Sequence, residues 1–488
     1  METSFKKYFD VIVVGSSPAA LLSAMYFGKN ARRVLLLGER KRSASYSFEE
    51  TKFWRRTNSI DWAHTGSFRT LLRGVGEGPS FLRRLERLDP SFQILAGRER
   101  YSFFSDAERT IESIEREGQG DGEYSKQFLA GYALARARLD EGIEKAAGGA
   151  LPRWLSAANE STREGTVLRA LDWPLVHRLE PFVGVVDQGD CPSHARAIAL
   201  GNTLLGTSRF GIDEDAFVAF LATELRNLGV EVVMDESIER VLVGSKRTEG
   251  VVLARGGEAI GSDHFVADWC HEDFAKQTGA KQVESGALAT VTSSRVSVSV
   301  VVRKDLVPAA LGSMALLVSQ NADVPDFVLE RKDTAVDWET WVLDTIIEFD
   351  RQLGRVRENA LLALEMYFPF VRRHLLFVDC VYDGLPLWDF RSGNRLDVDR
   401  LELRSDRGGV GGVENPHRRW SFQDDRKRAL YGATEPMETS FRNAFLVGAT
   451  IFPTLGREGG IVAALANAER VAAEPTGRVQ IGRKNRLR

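Results

Sequence analysis

A turn near the start of the chain has the residue types that bind a phosphate group. The segment from Gly15 to Ala20 follows the β-branched run from Asp10 to Val14 and precedes an apolar stretch that ends at Phe27. A strand, a tight turn and a helix in this order present free N–H groups at a helix N-terminus, where the macrodipole favours negative charge. We therefore predict that the diphosphate of a dinucleotide binds here, in contact with Gly15, Ser16, Ser17, Pro18, Ala19 and Ala20.

The next apolar run ends in an acidic residue. Val34 to Leu37 lead to Gly38 and Glu39, which completes a βαβ unit of about thirty residues. A carboxylate at this position accepts hydrogen bonds from the ribose hydroxyls of FAD or NAD. Glu39 and the adjacent Arg40 are therefore predicted cofactor contacts. The surrounding basic residues are either a solvated loop, which we favour, or a contact to a 2′-phosphate.

A second glycine-rich turn lies near the other end of the chain. A short apolar run closes on Gly448, and the segment from Ile451 to Gly460 leads into an alanine-rich helix. N–H groups of such a turn and of the helix N-terminus point at one place, which suits charge on a ligand. The predicted contacts are Gly448, Ala449, Thr450, Gly456, Glu458, Gly459, Gly460 and Ile461.

This second turn resembles the C-terminal flavin motif of phytoene desaturases and carotenoid isomerases. Phe452-Pro453, Gly456, Glu458-Gly459 and the small-residue helix match that motif in order. A middle segment, with Arg209 to Asp213 followed by a helical run and short strands at 230–234, 238–243, 250–253 and 264–267, resembles the middle flavin-domain segment of the same family. A chance match of three segments to the same family is less probable than a chance match of any one of them.

The resemblance implies an α/β fold with two domains. The first is a Rossmann-like FAD-binding domain of the glutathione reductase type, formed by residues 1–69, 208–287 and 439–475. The second is an α+β substrate-binding domain formed by residues 70–207 and 288–438, and residues 476–488 are a basic tail. Within the second domain, apolar runs predict strands at 296–302 and 315–318 and helices at 127–137 and 338–352.

The function implied by the resemblance is that of an FAD-dependent oxidoreductase. It would move hydride equivalents between flavin and an apolar, isoprenoid or polyene substrate, as a desaturase, saturase or isomerase. Three positions depart from the family: Ser17 replaces a glycine, Ala449 replaces an aspartate, and Arg42 to Tyr46 replace an R-x-G-G turn. These departures support an alternative, a flavin-free or weakly flavin-binding protein that serves as a binding or assembly partner, as Rab GDP-dissociation inhibitors do on this fold. An amine oxidase is the third alternative.

No residue is assigned as catalytic. Arg457 lies inside the second turn, where a cation would stabilise reduced flavin, or it is a solvated loop residue. His177 and His194 are candidate acid or base groups, but lone histidines are usually structural or exposed, and we favour that interpretation for both. Cys191 and His194 have a metal-ligand spacing, but no second Cys/His pair completes a four-ligand site, so no metal is predicted.

Composition limits the partners and the compartment. The chain has 488 residues and a formal net charge of -3, which gives no field that would attract nucleic acid. Its three cysteines are widely separated, which favours a reducing compartment such as the cytoplasm. No apolar run is long enough to span a bilayer, and peripheral membrane contact through the basic tail stays open. The sequence indicates no oligomeric state.

Overall fold

The chain forms two β-sheets with helices packed around them. The computed structural model describes residues 5–30, 32–38, 45–57, 59–76, 81–118, 120–146, 169, 171–184, 193–210, 214–234, 236–279, 288–333, 335–348, 353–396, 417–422, 439–448 and 450–473. The helices are α1 (Pro18–Lys29), α2 (Gly66–Val75), α3 (Ala107–Glu117), α4 (Gly122–Ala146), α5 (Pro174–Leu179), α6 (Ser193–Gly206), α7 (Glu214–Asn227), α8 (His271–Thr278), α9 (Val356–Tyr367) and α10 (Glu458–Ala473).

The strands are numbered in chain order. They are β1 (Lys7–Val14), β2 (Val34–Gly38), β3 (Ser45–Phe48), β4 (Thr51–Trp54), β5 (Leu85–Arg87), β6 (Phe92–Ala96), β7 (Glu99–Phe103), β8 (Ser208–Phe210), β9 (Glu231–Met234), β10 (Ile238–Val243), β11 (Thr248–Leu253), β12 (Ala259–Ala267), β13 (Leu288–Arg303), β14 (Met314–Val318), β15 (Phe327–Asp333), β16 (Trp338–Glu348), β17 (Leu375–Asp379), β18 (Leu387–Asp389), β19 (Arg395–Leu396), β20 (His417–Phe422) and β21 (Ala444–Leu446).

The first sheet has seven strands and a parallel centre. Its order is β10-β11-β12-β1-β2-β9, and β21 pairs with β12. Strands β1, β2, β9, β12 and β21 run parallel, whereas β10 and β11 form an antiparallel meander on β12. Because parallel strands end at one edge of a sheet, the turns that follow β1 and β21 reach the same edge. The Rossmann-like α/β fold is confirmed.

The second sheet has ten strands and is almost wholly antiparallel. Its order is β19-β18-β17-β13-β16-β15-β14-β6-β7, with β20 also paired to β13 and β14 parallel to β6. The predicted strands at 296–302 and 315–318 lie in β13 and β14, and the predicted helix at 127–137 lies within α4.

The helix predicted at 338–352 is wrong, because residues 338–348 form strand β16 and residues 349–352 lie outside the described part of the chain. β16 lies between β13 and β15, and most of its residues are buried on both faces. A strand buried on both faces shows no alternation of polar and apolar residues, so periodicity cannot distinguish it from a buried helix. Its β-branched and aromatic content, including Thr340, Trp341 and Val342, favours a strand.

The structure has two hydrophobic cores, and the first also includes residues from strands β6, β7, β14 and β15 of the second sheet. The first core joins the parallel sheet to helices α2, α4 and α6 through residues such as Phe68, Phe128 and Ile198. The second core lies on the antiparallel sheet and includes Tyr46 and Phe53 from the β3–β4 hairpin. That hairpin precedes α2 in the chain but packs with the later strands. The domain boundaries drawn from the sequence stay a prediction.

Helix α10 lies directly against α1. A Cβ added at Gly460 would lie 3.4 Å from the Cβ of Ala19, which is ordinary van der Waals contact. A Cβ added at Gly459 would lie 2.1 Å from the carbonyl oxygen of Phe452, which the backbone cannot accept without moving. The side chain of Asn467 donates to the carbonyl of Leu446 at 3.0 Å and joins α10 to β21.

These adjacent glycines provide a matched pair of substitutions. We expect Gly459→Ala to lower the free energy of unfolding by about 1–3 kcal/mol, because the Phe452 carbonyl must be displaced. Gly460→Ala has room for its methyl group and gains helix propensity, so it should be neutral or stabilise by up to about 1 kcal/mol. Urea unfolding of both variants measures this difference, and equal losses would contradict the packing described for α10.

Candidate functional site

The first turn leaves a buried hydroxyl group without a partner. Gly15 has a φ of 122° and donates its N–H to the carbonyl of Leu37 at 2.9 Å. Ser17 is the N-cap of α1, and its Oγ accepts the N–H of Ala20 at 3.3 Å. The Oγ of Ser16 is buried and has no hydrogen-bond partner among the described residues. An unsatisfied buried hydroxyl costs about 1–3 kcal/mol, so this position is suited to a polar ligand.

A carboxylate that the sequence analysis did not single out lies against the same turn. Asp268 follows β12, and its backbone N–H donates to the carbonyl of Val14 at 2.8 Å. Its Oδ2 accepts the N–H of Ser17 at 3.2 Å, at the N-terminus of α1. A Cβ added at Gly15 would lie 2.4 Å from the Cβ of Asp268, so glycine is required there on steric grounds as well. The available signal was an acidic residue directly after a strand of the parallel sheet.

The second turn is shaped by two glycines. A Cβ added at Gly448 would lie 2.8 Å from the carbonyl oxygen of Trp269, so β21 ends in close contact with the segment after β12. Gly456 has a φ of 60° and ends a short 3₁₀ turn. Arg457 donates to the carbonyl of Ser59. No carboxylate of the described residues pairs with Arg457, so none of them offsets the charge that this guanidinium brings to the turn.

The structure brings the two turns together. Ala19, at the start of α1, and Gly460, at the start of α10, are the contact between them. Both turns leave the same edge of the parallel sheet. Thr450 is partly exposed beside this edge, and Ile461 is buried in the core. The predicted contacts Glu39, Arg40 and Ala449 lie outside the described residues, and the contact list as a whole stays a prediction.

The side chain of Glu458 is already engaged by other helices. It is fully buried, and its carboxylate accepts hydrogen bonds from Arg136 at 2.8 Å and from Asn202 at 2.9 Å. The hydroxyl of Ser67 also donates to it. Burial alone would raise the pKa of Glu458, but the charge and hydrogen bonds of Arg136 hold that pKa below its usual range. Only the backbone of Glu458 is therefore available to a ligand.

This carboxylate connects α10 to α2, α4 and α6, and we call the group Glu458, Arg136, Asn202 and Ser67 the Glu458 cluster. The phenol of Tyr132 extends it by donating to Asn202 at 3.0 Å. Sequence reasoning found none of its long-range partners, because more than 250 residues separate Glu458 from each of them. Hydrophobic periodicity contains no information on pairs of this kind.

Neither histidine proposed from the sequence is shown to act in catalysis. Burial lowers the pKa of His194 to about 3, and the positive charge of Arg138 adds to this effect, so His194 is neutral near pH 7. His177 is half-exposed and contacts Glu180 at 2.9 Å. Burial also lowers the pKa of His64, whose ring nitrogens have no partner among the described residues.

Two further searches of the described residues gave negative results. No group of three or more His, Cys, Asp or Glu side chains in this part of the chain is arranged to hold a metal ion, and Cys191 lies outside it. None of the helices described combines the length and the apolar character that a membrane span requires.

The fold is shared with known enzymes, although the sequence is not. No protein-family model matches the chain, and no curated protein matches its sequence. A putrescine oxidase double mutant, from a structure-based redesign of cofactor binding, is 13% identical over 96% of this chain and 100% of that one, with a TM-score of 0.57. An oxidoreductase from Methanosarcina mazei is 12% identical over 94% of this chain and 99% of that one, with a TM-score of 0.55. At such identities the likeness establishes the fold.

The Glu458 cluster can be tested by removing its cation. We expect Arg136→Met to lower the free energy of unfolding by about 3–5 kcal/mol, because it leaves a buried carboxylate without its counter-charge. The double variant Arg136→Met/Glu458→Gln removes both charges and should recover part of that loss. Urea unfolding distinguishes the two, and a double variant no more stable than Arg136→Met would contradict the pairing.

The buried imidazole of His194 gives a pH-dependent expectation. Its pKa is lowered to about 3 in the folded chain, whereas the unfolded chain takes up a proton near pH 6.5. The contribution of His194 to the free energy of unfolding is therefore constant above pH 6.5, and stability is lost as the pH falls below that value. We expect His194→Gln to reduce the loss between pH 7 and pH 5 by up to about 2 kcal/mol. Denaturant unfolding at a series of pH values measures this. Between pH 7 and 8 the free energies of unfolding of wild type and His194→Gln should differ by a constant amount. If the variant loses as much stability below pH 6 as the wild type does, this explanation is contradicted.

Proposed function

We propose that the protein is an FAD-dependent oxidoreductase. The observation that carries this proposal is the contact of Ala19 with Gly460, which brings together the starts of the helices that follow the turns after β1 and β21, near the unsatisfied hydroxyl of Ser16. An extended dinucleotide needs two polar turns at one sheet edge, one for its diphosphate and one for its ring. The fold shared with an oxidase and an oxidoreductase supports the same function.

The residues present fit such a cofactor in most respects. The N–H groups at the start of α1 and the hydroxyl of Ser16 would hold the diphosphate, and the N-terminus of α10 with the cation of Arg457 would face the ring. Bound FAD would supply the capacity to accept or return a hydride equivalent. The chain would hold the substrate and exclude water. Asp268 is the one described group that disfavours a diphosphate.

The proposed substrate is apolar, as the resemblance to phytoene desaturases implies. Buried carboxylates on β15 and β16 have basic partners of their own: Glu330 pairs with Lys332, Glu339 with Arg331 at 2.7 Å, and Asp344 with Arg295 at 2.6 Å. These pairs are internal to the second sheet. The reaction proposed for a neutral, isoprenoid or polyene-like substrate is desaturation, saturation or isomerisation.

Two alternatives are supported by particular observations. The likeness to a putrescine oxidase supports an amine oxidase, and anaerobic bleaching of bound flavin by a diamine, with none by an isoprenoid, would establish it. The carboxylate of Asp268 at the predicted diphosphate position supports a flavin-free binding protein. Such a protein would not change the absorbance spectrum of added FAD, even when FAD is in excess.

Flavin binding is tested by absorbance between about 350 and 500 nm, with and without added FAD. Gly15→Ala should weaken FAD binding by about tenfold or more, the factor that 1.4 kcal/mol represents, because its methyl group meets Asp268 at the turn. Gly229→Ala is the matched control, since Gly229 also has a positive φ, of 80°, but open space around its Cα. A folded wild-type protein that leaves the absorbance spectrum of added FAD unchanged would contradict the proposal.

A further inference from the structure

We propose that Asp268 limits the affinity of this chain for diphosphate-bearing ligands, so that its dinucleotide is held exchangeably; this inference rests on the proposed function. The carboxylate of Asp268 accepts the N–H of Ser17, a backbone donor at the start of α1. A phosphate oxygen of a bound dinucleotide would accept a hydrogen bond from a backbone donor of this type. The chain thus carries its own anion where the ligand's anion would bind.

The backbone holds Asp268 beside the turn. Asp268 follows β12, which pairs with β1 along its length, and the N–H of Asp268 donates to the carbonyl of Val14. Its Cβ lies so close to Gly15 that a side chain at position 15 would overlap with it. The short side chain of Asp268 therefore keeps its carboxylate near any diphosphate that binds at this turn.

The energetic consequence is repulsion between like charges. A diphosphate at this turn would have to bind beside this carboxylate, and such charges repel by several kcal/mol only when both are shielded from water. The hydroxyl of Ser16 remains available as a donor. The positive end of the α1 dipole is shared between the carboxylate and the ligand, so affinity falls without the site being lost.

The direct test is Asp268→Asn, which removes the charge and retains an oxygen that can accept the Ser17 N–H. FAD and ADP carry a diphosphate and riboflavin does not, so the three ligands separate charge repulsion from ring packing. We expect Asp268→Asn to lower the dissociation constants of FAD and ADP by roughly tenfold or more and that of riboflavin by less than about twofold. Fluorescence titration measures the flavins, and calorimetry measures ADP.

The matched control is Asp10→Asn. Asp10 also accepts a backbone N–H, that of Arg33 at 2.8 Å, but it lies five residues before Gly15 on β1, roughly 16 Å away. This distance exceeds the screening length of about 8 Å at physiological salt, so the control should bind all three ligands as the wild type does. If Asp268→Asn does not fold, Asp268→Ser, which is also uncharged and able to accept the N–H, takes its place.

The outcomes distinguish this inference from the proposed function. Wild-type protein that binds FAD, with Asp268→Asn binding it no more tightly, would overturn the inference and leave the function standing. Equal gains for riboflavin and FAD would overturn it as well, because riboflavin has no diphosphate to repel. If neither the wild type nor the uncharged variants bind FAD or ADP, the proposed function fails and the inference fails with it.

Discussion

The start of α1 packs directly against the start of α10, and this contact brings the two glycine turns to one place. Ala19, in the first turn of α1, contacts Gly460, in the first turn of α10, and both helices follow turns at one edge of the parallel sheet. Only glycine or alanine at these positions allows the helix N-termini to approach so closely. Residues from opposite ends of a 488-residue chain thereby form a single polar region.

A buried ion pair holds the second of these helices in place. The Glu458 cluster fixes the start of α10 to α2, α4 and α6, so that the second turn cannot shift independently of the helices around it. Burying a charged pair contributes little net stability but penalises arrangements that separate the charges. The cluster therefore fixes the position of the start of α10 relative to α2, α4 and α6.

The sequence alone predicts the parts of this structure that depend on local pattern. Two local features were predicted correctly: the strand, turn and helix around Gly15, and the glycine turn before α10. The fold class of the chain follows from them. Strand β16 could not be assigned correctly, because a strand buried on both faces has no alternation to detect. Asp268 was missed because its importance arises from the pairing of β12 with β1, which brings it to the turn from more than 250 residues away.

We propose that one extended cofactor spans both turns. A crystal structure of the protein grown with FAD is the decisive experiment. We expect density for the diphosphate beside Ser16 and the N-terminus of α1, continuing to a ring beside Arg457 and the N-terminus of α10. Density for FAD at another surface, or a saturating soak that leaves both turns without ligand density, would contradict it.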